Sequence, residues 1–318
     1  MEKKFDIVAL GELNIDLILN RIAGFPEVGK EILADDCTMT LGSSTAIFAA
    51  NAASLGSKVA FLGMVGCDDF GDFIEKSLKK RGVDTSMIVR SEEHKSGITV
   101  VMNYEQDRAN VTYPGAMSFM GIKEIEKAKL GEARHVHISS LFLQERLKRD
   151  IERVIELIKG EGATVSLDTQ WDPEEKWDVN FRHILPLIDV FMPNEQELVA
   201  LTHSVSLEEA VAAVAGLVNV MVVKCGSNGS LLVTKSGLRR RIPALLNENP
   251  VDCIGAGDSF DSGFISGFVH GLELEECQDL GNLTGAISTT AAGGTEAFTS
   301  KESIEANAAL FGKQIIVF

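Results

Sequence analysis

The second half of the chain alternates short apolar runs with helical stretches, and this alternation restricts the possible folds more than any other feature. Residues 134–138, 163–167, 221–224 and 230–233 are dominated by strand-forming residues, while 144–159 has the spacing of a helix. Strands that alternate with helices build a mainly parallel sheet with helices on both faces. Such sheets bind ligands at the carboxyl ends of their strands. The sequence therefore predicts an α/β fold whose functional residues lie at that end.

The composition is that of one large globular domain and excludes several classes of partner. Hydrophobic residues make up 45% of the 318 residues, which is enough for a sizeable core. The formal net charge of −16 disfavours nucleic acid and anionic membranes, since both need clustered Lys and Arg. No apolar run reaches transmembrane length. The five cysteines lack CxxC spacing, so we expect neither disulfides nor zinc, and a reducing, cytoplasmic compartment.

A glycine-rich turn opens a helix within residues 251–271. Gly255 and Gly257 flank Ala256, so the backbone can turn tightly before small and aromatic residues follow with helical spacing. The first turn of a helix presents free N–H groups and the positive end of the helix dipole, which suits a phosphate group. Asp258 lies in this turn. It either caps the helix or accepts a proton from an attacking hydroxyl, and the spacing alone leaves both interpretations open.

Polar residues near the N-terminus suggest a second part of a site. Asn14 and Asp16 alternate with apolar residues after the predicted strand 5–10, so they share one face of a half-exposed strand. That face is either solvated or in contact with a ligand. Gly42 and Ser43 then precede a helix of small residues, which Ser and Thr residues can cap.

A hairpin is predicted in the middle of the first half. The runs 97–104 and 109–113 are β-like and flank a turn at 105–108. With strands from the region 12–36, the hairpin would form a second, smaller sheet. Arg108 in the turn is either a solvated charge or a residue that reaches a substrate.

Taken together, these stretches resemble the ribokinase-like, or PfkB, carbohydrate kinases. Asp252 followed by Gly255-Ala256-Gly257-Asp258 is similar to the second signature of that family, although Cys253 and Ile254 replace its usual hydroxyl residues. The resemblance extends from Gly11 to about Gly294.

The stretch 41–56 resembles the first signature of the family, with two departures. Ser43 stands in place of the second Gly, and Ile47 stands in place of an Asn that commonly contacts substrate hydroxyls. Asn194 and Glu197 match the Asn-x-x-Glu motif, which also reads as a helix cap followed by an acid.

The resemblance implies a fold and a role for each of these residues. The fold would be one ribokinase-like domain over 1–318, with a small β-sheet lid from segments about 12–38 and 95–116. The implied catalytic residues are the anion-hole residues Gly255, Ala256 and Gly257 and the general base Asp258. The implied substrate-binding residues are Asp16, Asn14, Gly42, Ser43, Arg108 and Asp168. The implied cofactor-binding residues are Asn194, Lys224, Gly226, Gly229 and Asn282, and the implied metal-binding residues are Glu197 for Mg²⁺ and Asp252 for K⁺.

The resemblance also implies an activity. The chain would be an ATP- and Mg²⁺-dependent kinase that transfers the γ-phosphate to a hydroxyl of a small carbohydrate such as ribose or fructose, and it would form a homodimer. A nucleoside kinase and a non-catalytic sugar-binding relative remain alternatives. A Rossmann dehydrogenase is disfavoured, because no Gly-x-Gly-x-x-Gly follows the first strand.

Overall fold

The computed structural model of the chain describes residues 3–22, 24–104 and 108–318. Its strands are β1 (Phe5–Leu10), β2 (Asn14–Asn20), β3 (Asp36–Leu41), β4 (Val59–Leu62), β5 (Met64–Gly66), β6 (Val89–Ser91), β7 (Gly97–Asn103), β8 (Arg108–Tyr113), β9 (Ala133–Ser139), β10 (Thr164–Asp168), β11 (Val190–Phe191), β12 (Val220–Lys224), β13 (Ser230–Thr234) and β14 (Arg239–Ile242). Its α-helices are α1 (Ser44–Ser54), α2 (Asp69–Lys80), α3 (Ile122–Ile125), α4 (Glu145–Gly160), α5 (Phe181–Ile184), α6 (Glu195–Thr202), α7 (Leu207–Val214), α8 (Ala256–Val269), α9 (Leu274–Ser288) and α10 (Lys301–Leu310).

The main sheet has eight strands in the order β14-β13-β12-β11-β10-β9-β1-β4. Neighbours from β4 through β12 pair in parallel, whereas β13 and β14 at the far edge pair antiparallel. The order in which the chain adds strands changes sides at β1, because β4 lies on one side of β1 and β9 on the other. Such a switch point is where open α/β sheets bind their ligands. The predicted α/β fold with a mainly parallel sheet is therefore confirmed.

The core forms two layers, one on each face of this sheet. Side chains of a strand alternate between faces, and β1 follows this rule. Ile7 and Ala9 pack into a cluster with α1, α2 and α8. Val8 and Leu10 pack on the opposite face with α4, α6 and α7. Helices thus cover both faces, so the site residues can lie only at the strand ends and in the loops that follow them.

A separate four-stranded sheet has the order β3-β2-β7-β8. Its register aligns two different rows of side chains across the strands. Asp16 is the register partner of Thr40 and of Thr99, and Thr99 is that of Thr112, which gives a polar row. The neighbouring register positions form an apolar row, in which Leu17 pairs with Met39 and with Val100, and Val100 pairs with Val111. Since successive residues of a strand point to opposite faces, this sheet has one polar face and one apolar face.

The predicted elements agree with the structure to within a residue or two. The helix predicted over 144–159 is α4, and the predicted hairpin strands are β7 and β8. Most of the predicted turn between them, residues 105–107, lies outside the described residues. In the described ranges, no helix is both long enough and apolar enough to cross a bilayer.

Candidate active site

A cavity of about 1140 Å³ opens between the carboxyl ends of the main-sheet strands and the polar row of the small sheet. Its volume exceeds the ~300–1,000 Å³ of a typical pocket for one small molecule. The polar row lines one side, and the first turn of α8 lines the other. The cavity thus lies at the switch point beside β1, and it has room for two ligands.

The first turn of α8 contains the predicted anion hole. Gly255 is the N-cap with φ of 71°, a left-handed conformation that suits glycine. A Cβ atom here would come within 2.9 Å of the Gly294 Cα and 3.1 Å of the Ile47 Cδ1. Only glycine therefore fits, both for its backbone and for its space. Gly255, Ala256 and Gly257 all line the cavity. The first amides of a helix lack acceptors within it, and the Ala256 amide donates to the Cys253 carbonyl at 3.3 Å.

Asp258 lies in the same turn and is 7% exposed. Burial and the negative charge of Asp168 together raise the pKa of its carboxyl to about 7, against the opposing effect of Lys224. Its Oδ1 accepts a hydrogen bond of 2.9 Å from the Gln170 Nε2, and the Ser44 side chain provides another. These partners are side chains, whereas a capping carboxylate binds backbone amides. A buried carboxyl with a pKa near neutrality is suited to accept a proton.

Below Asp258, three buried charged side chains form a cluster. The Lys224 Nζ donates to the Asp168 Oδ2 at 2.8 Å and to the Asp261 Oδ2 at 2.9 Å. Both carboxylates have only 1% of their side chain exposed. Burial alone would raise the pKa of Asp168, but the charge of Lys224 and the hydrogen bonds from Asp261 and Lys224 together hold that pKa below its usual range. Burial and the nearby charge of Asp168 raise the pKa of Asp261 well above its usual range, against the opposing effect of Lys224.

The opposite end of the cavity contains Asn14 and Asp16 on β2. The Asn14 Nδ2 donates to the Asp16 Oδ1 at 2.9 Å and to the Thr99 Oγ1 at 3.0 Å. A Cβ at Gly42 would overlap the Asp16 Oδ1 and lie 2.7 Å from the Asn14 Nδ2. Gly42 is therefore required for this polar pair to occupy its position, although it does not itself line the cavity. The arrangement presents hydroxyl, amide and carboxylate groups on one surface.

Ser43 and Glu12 connect this surface to α1. Ser43 is the N-cap of α1, where its Oγ accepts from the Ala46 amide at 2.9 Å and donates to the Glu12 carbonyl at 2.7 Å. The Glu12 carboxyl accepts hydrogen bonds from the Thr45 Oγ1 and amide. Burial raises its pKa. Both residues line the cavity, so the end of β1 contributes a buried acid beside the site.

Asn194 and Glu197 meet in a reciprocal capping arrangement at the start of α6. The Glu197 amide donates to the Asn194 Oδ1 at 2.8 Å, and the Asn194 amide donates to the Glu197 Oε2 at 2.9 Å. Burial raises the pKa of Glu197 to about 8, and Asp168 adds to this effect. No group of three or more His, Cys, Asp or Glu in the described ranges is arranged to hold a metal ion. Asn194 and Glu197 both line the cavity, and their side-chain oxygens are of the kind that a Mg²⁺ with retained water ligands could use.

Some of the remaining predicted residues line the cavity and others lie outside its lining. Gly226 lines it, as do Asn194 and Lys224. Asp252 holds its own turn, because its carboxylate accepts from the Ile254 amide at 2.9 Å and from the Gly293 amide at 3.1 Å. Gly229 packs against the Ile242 carbonyl, outside the cavity lining.

Three further predicted residues were expected to contact ligands through their side chains. Asn282 also lies outside the lining, where its side chain bonds Ser230 and the Pro243 carbonyl. Arg108 begins β8 opposite Asn103, and its side chain lies outside what the structure describes. Asp168 is fully buried below the cavity. Its contacts are with Lys224 and Gln170.

Two cavity residues were missed at the level of the sequence. Glu12 comes two residues after the first strand, which ends at Leu10, and Gln170 comes two residues after the strand that ends at Asp168. A polar residue just past the carboxyl end of a parallel strand is a general signal for a site. Applying that rule to every strand would have found both.

The comparisons with known proteins agree with this geometry. The family model described as pfkB family carbohydrate kinase matches residues 4–301. The chain belongs to this family, and it is therefore a sugar kinase, a phosphotransferase with a hydroxyl group as acceptor. Kinases of the ribokinase family use ATP as the phosphoryl donor.

Individual relatives are distant but cover almost the whole chain. The 5-dehydro-2-deoxygluconokinase of Lacticaseibacillus casei is 26% identical over 321 residues, which is 96% of each chain. The structure of Arabidopsis thaliana ribokinase complexed with ribose and ATP has a TM-score of 0.82 at 24% identity, covering 97% of this chain and 99% of that one. A Vibrio cholerae fructokinase double mutant with bound fructose, ADP and potassium has a TM-score of 0.77 at 25% identity, covering 97% and 99%.

Proposed function

We propose that this sugar kinase transfers the γ-phosphate of ATP to a hydroxyl of a neutral sugar, with Asp258 as the general base. The observation that carries this proposal is the Asp258 carboxyl, buried in the first turn of α8 on the wall of a cavity lined by hydroxyl-binding groups. The acceptor hydroxyl gives its proton to Asp258 as its oxygen attacks the γ-phosphorus, and the bond from that phosphorus to the β–γ bridging oxygen breaks, so that ADP leaves with the electron pair. The amides that begin α8 receive the negative charge of the phosphoryl group.

The base needs a pKa close to the working pH, and its surroundings supply this. A carboxyl with a pKa of about 7 is ionised in half of the molecules at neutral pH, and it binds a proton more strongly than an exposed carboxyl does. The rate should therefore rise with pH through about 7, because only the ionised form accepts the proton.

The charge of the cavity supports a neutral acceptor. Acidic side chains dominate the lining: Glu12, Asp16, Glu145, Asp172, Glu174, Glu197 and Asp258. Among the described side chains of the lining, the cations are Lys148 and Lys224, and each is paired with an acid. Carboxyl groups outnumber ammonium groups in this lining, which disfavours a sugar carboxylate, whereas sugar hydroxyls can donate to Asp16 and exchange hydrogen bonds with Thr99. Ribose and fructose, which the two structural neighbours hold, belong to this class.

Mg²⁺ enters the proposal with ATP. Glu197 and Asn194 would orient its water ligands, and the ion would neutralise phosphate charge during transfer. K⁺ near Asp252 is a further expectation. The potassium bound in the fructokinase neighbour supports it, as does the turn that the Asp252 carboxylate holds next to the start of α8.

A nucleoside is a second candidate acceptor, and one observation favours it. Trp171 and Phe142 line the cavity, and Trp171 is 43% exposed, so a base could stack on its ring. A panel of ribose, fructose, inositol, 2-dehydro-3-deoxygluconate and nucleosides, assayed by ATP consumption, separates the candidates. The neutral-sugar proposal fails if the sugar acid is the best substrate.

We also propose that the enzyme is a homodimer in which the apolar face of the small sheet contacts a second copy. Met39 is 43% exposed and Val111 is 60% exposed on that face. Both lie on the edge strands of the small sheet, where exposed apolar side chains are unusual unless another chain covers them. Light scattering after gel filtration should give a dimer for the native chain and a monomer for Val111→Asp. The matched control is Val205→Asp, since Val205 is 91% exposed between α6 and α7.

The decisive experiment for the base is Asp258→Asn with the best substrate of the panel. Asn preserves the shape but cannot accept the proton, so kcat should fall ~10²–10⁴-fold. Nucleotide binding should persist, because the phosphate donors are backbone amides. A helix cap would behave differently, since Asn caps about as well as Asp. A fall of less than about tenfold would leave the mechanism without its base.

A further inference from the structure

Gln170 occupies a conspicuous position beside the proposed base. It follows β10 by two residues, it lines the cavity, and its backbone has φ of 56°. This left-handed conformation is unfavourable for a residue with a Cβ, other than Asn and Asp. Such backbone conformations persist where the surroundings hold them, and they often mark functional positions. The contacts of its side chain indicate what this position does.

The carboxamide of Gln170 connects two buried carboxylates. Its Nε2 donates to the Asp168 Oδ2 at 2.7 Å and to the Asp258 Oδ1 at 2.9 Å. The Gln170 backbone amide donates to the Asp168 Oδ1 at 3.3 Å. Asp168 determines the amide orientation, because its carboxylate only accepts hydrogen bonds and would repel the oxygen of a reversed carboxamide. Both N–H bonds of the side chain are therefore used.

The anchor for this arrangement is itself rigid. Asp168 is fully buried and shares its Oδ2 between Gln170 and the Lys224 Nζ. Lys224 lies between Asp168 and Asp261 on neighbouring elements of the core. A carboxamide held by this cluster can fix the orientation of the carboxyl on its other side, as second-layer hydrogen bonds do around many reactive groups.

We propose that Gln170 is a positioning residue for Asp258: it holds the Oδ1 and directs the Oδ2 to the acceptor hydroxyl. This inference rests on the proposed role of Asp258 as base. Gln170 touches the base and not the reacting atoms, so it acts through Asp258. Its N–H donor also stabilises the ionised carboxylate, which offsets part of the effect of the surrounding negative charge.

The acid limb of the pH profile is the property that this role controls. The charged groups that act on Asp258 come from four elements around it: Asp168, Lys224, Glu12 and Glu197. All four groups remain when Gln170 is replaced, and Asp168, which loses the hydrogen bond from the Gln170 Nε2, keeps the one from Lys224. Removal of the donor alone should therefore raise the pKa of the base.

The experiment compares kcat/KM from pH 5.5 to 9.5 for the native enzyme and for Gln170→Met, which keeps the side-chain length without the donors. We expect the acid limb to move up by about one pH unit, so that the rate falls about fivefold at pH 7 yet stays nearly native at pH 9. Gln196→Met, on the exposed side of α6, is the matched control and should leave the profile unchanged. A limb that does not move, or an equal loss at both pH values, would overturn the inference.

A second variant tests whether misfolding explains the result of the first. Gln170→Gly also removes the donors, and glycine adopts φ of 56° without strain, so the folded structure should be retained while the limb moves in the same direction. Asp258→Asn separates this inference from the proposed function. If Asp258→Asn abolishes turnover and both Gln170 variants keep the native limb, only the role of Gln170 is wrong. If Asp258→Asn keeps near-native turnover, the proposed base itself is wrong.

Discussion

The buried cluster of Lys224, Asp168 and Asp261 allows a quantitative prediction about stability. Lys224→Met removes the ammonium and keeps most of the side-chain volume. Two carboxyls with 1% of their side chains exposed then lose their common partner and the hydrogen bonds of 2.8 and 2.9 Å. Removing one partner of a buried ion pair costs ~3–5 kcal/mol. For a chain of this length, that corresponds to a fall in Tm of about 5–8 °C.

The loss of stability in Lys224→Met should depend on pH. In the native enzyme, Lys224 holds the pKa of Asp168 below its usual range, so this carboxyl contributes stability above its unfolded pKa. Without Lys224, burial raises that pKa above the unfolded value. The folded variant then binds a proton that the unfolded chain does not, and its stability rises as the pH falls. The difference in free energy of unfolding between native enzyme and variant should therefore be larger at pH 8 than at pH 5.5.

The assay is thermal and urea unfolding of both proteins at these two pH values. Lys148→Met is the matched control, because Lys148 also lines the cavity but pairs at 3.1 Å with Asp178, whose side chain is 52% exposed. Exposed pairs contribute ~0–1 kcal/mol, so this variant should remain within about 2 °C of the native Tm. A loss below about 1 kcal/mol for Lys224→Met, or a difference that is the same at both pH values, would refute the reasoning.

Three further predictions concern other parts of the molecule. Asp16→Ala should raise KM for the preferred sugar by about 10- to 150-fold, the equivalent of a charged hydrogen bond of ~1.5–3 kcal/mol, with ATP binding unchanged; an unaltered KM would remove Asp16 from the substrate site. Burial lowers the pKa of His137 to about 3, so below pH 6.5 the unfolded chain binds a proton that the folded state does not. The free energy of unfolding should therefore fall by ~2 kcal/mol as the pH is lowered from 7 to 5. His137→Gln should therefore lose less stability than the native enzyme over that range, and parallel unfolding curves would contradict this. K⁺ should activate the enzyme, and equal rates in K⁺ and in a bulky organic cation at matched ionic strength would count against a site near Asp252.

The sequence determined the fold class and one half of the site through local rules. Apolar runs of strand length that alternate with a 3.6-residue pattern admit few solutions other than a parallel sheet covered by helices. The turn at Gly255 was predictable for the same reason, since two glycines before a helical pattern define a helix N-terminus within a few residues. Asp258 lies in that turn by sequence proximity alone.

The tertiary structure decided the contacts between residues far apart in the chain. Gln170 and Asp258 are 88 positions apart, and Lys224 and Asp168 are 56 apart. No local pattern encodes these pairs, because they form only when the ends of β10 and β12 and the start of α8 lie at the same place. The pKa of Asp258 is of the same kind: it arises from burial and from charges on other elements and not from its neighbours in sequence.

The small sheet illustrates both contributions. Alternating polar and apolar residues in β2 predicted a strand with two unlike faces, since side chains of a strand alternate by geometry. The alternation could not specify which face meets the cavity. That depended on the register that aligns Asp16 with Thr99 and Thr112, and a shift of one residue would have placed the apolar row there instead. Secondary structure follows from local geometry, whereas the composition of a site follows from long-range packing.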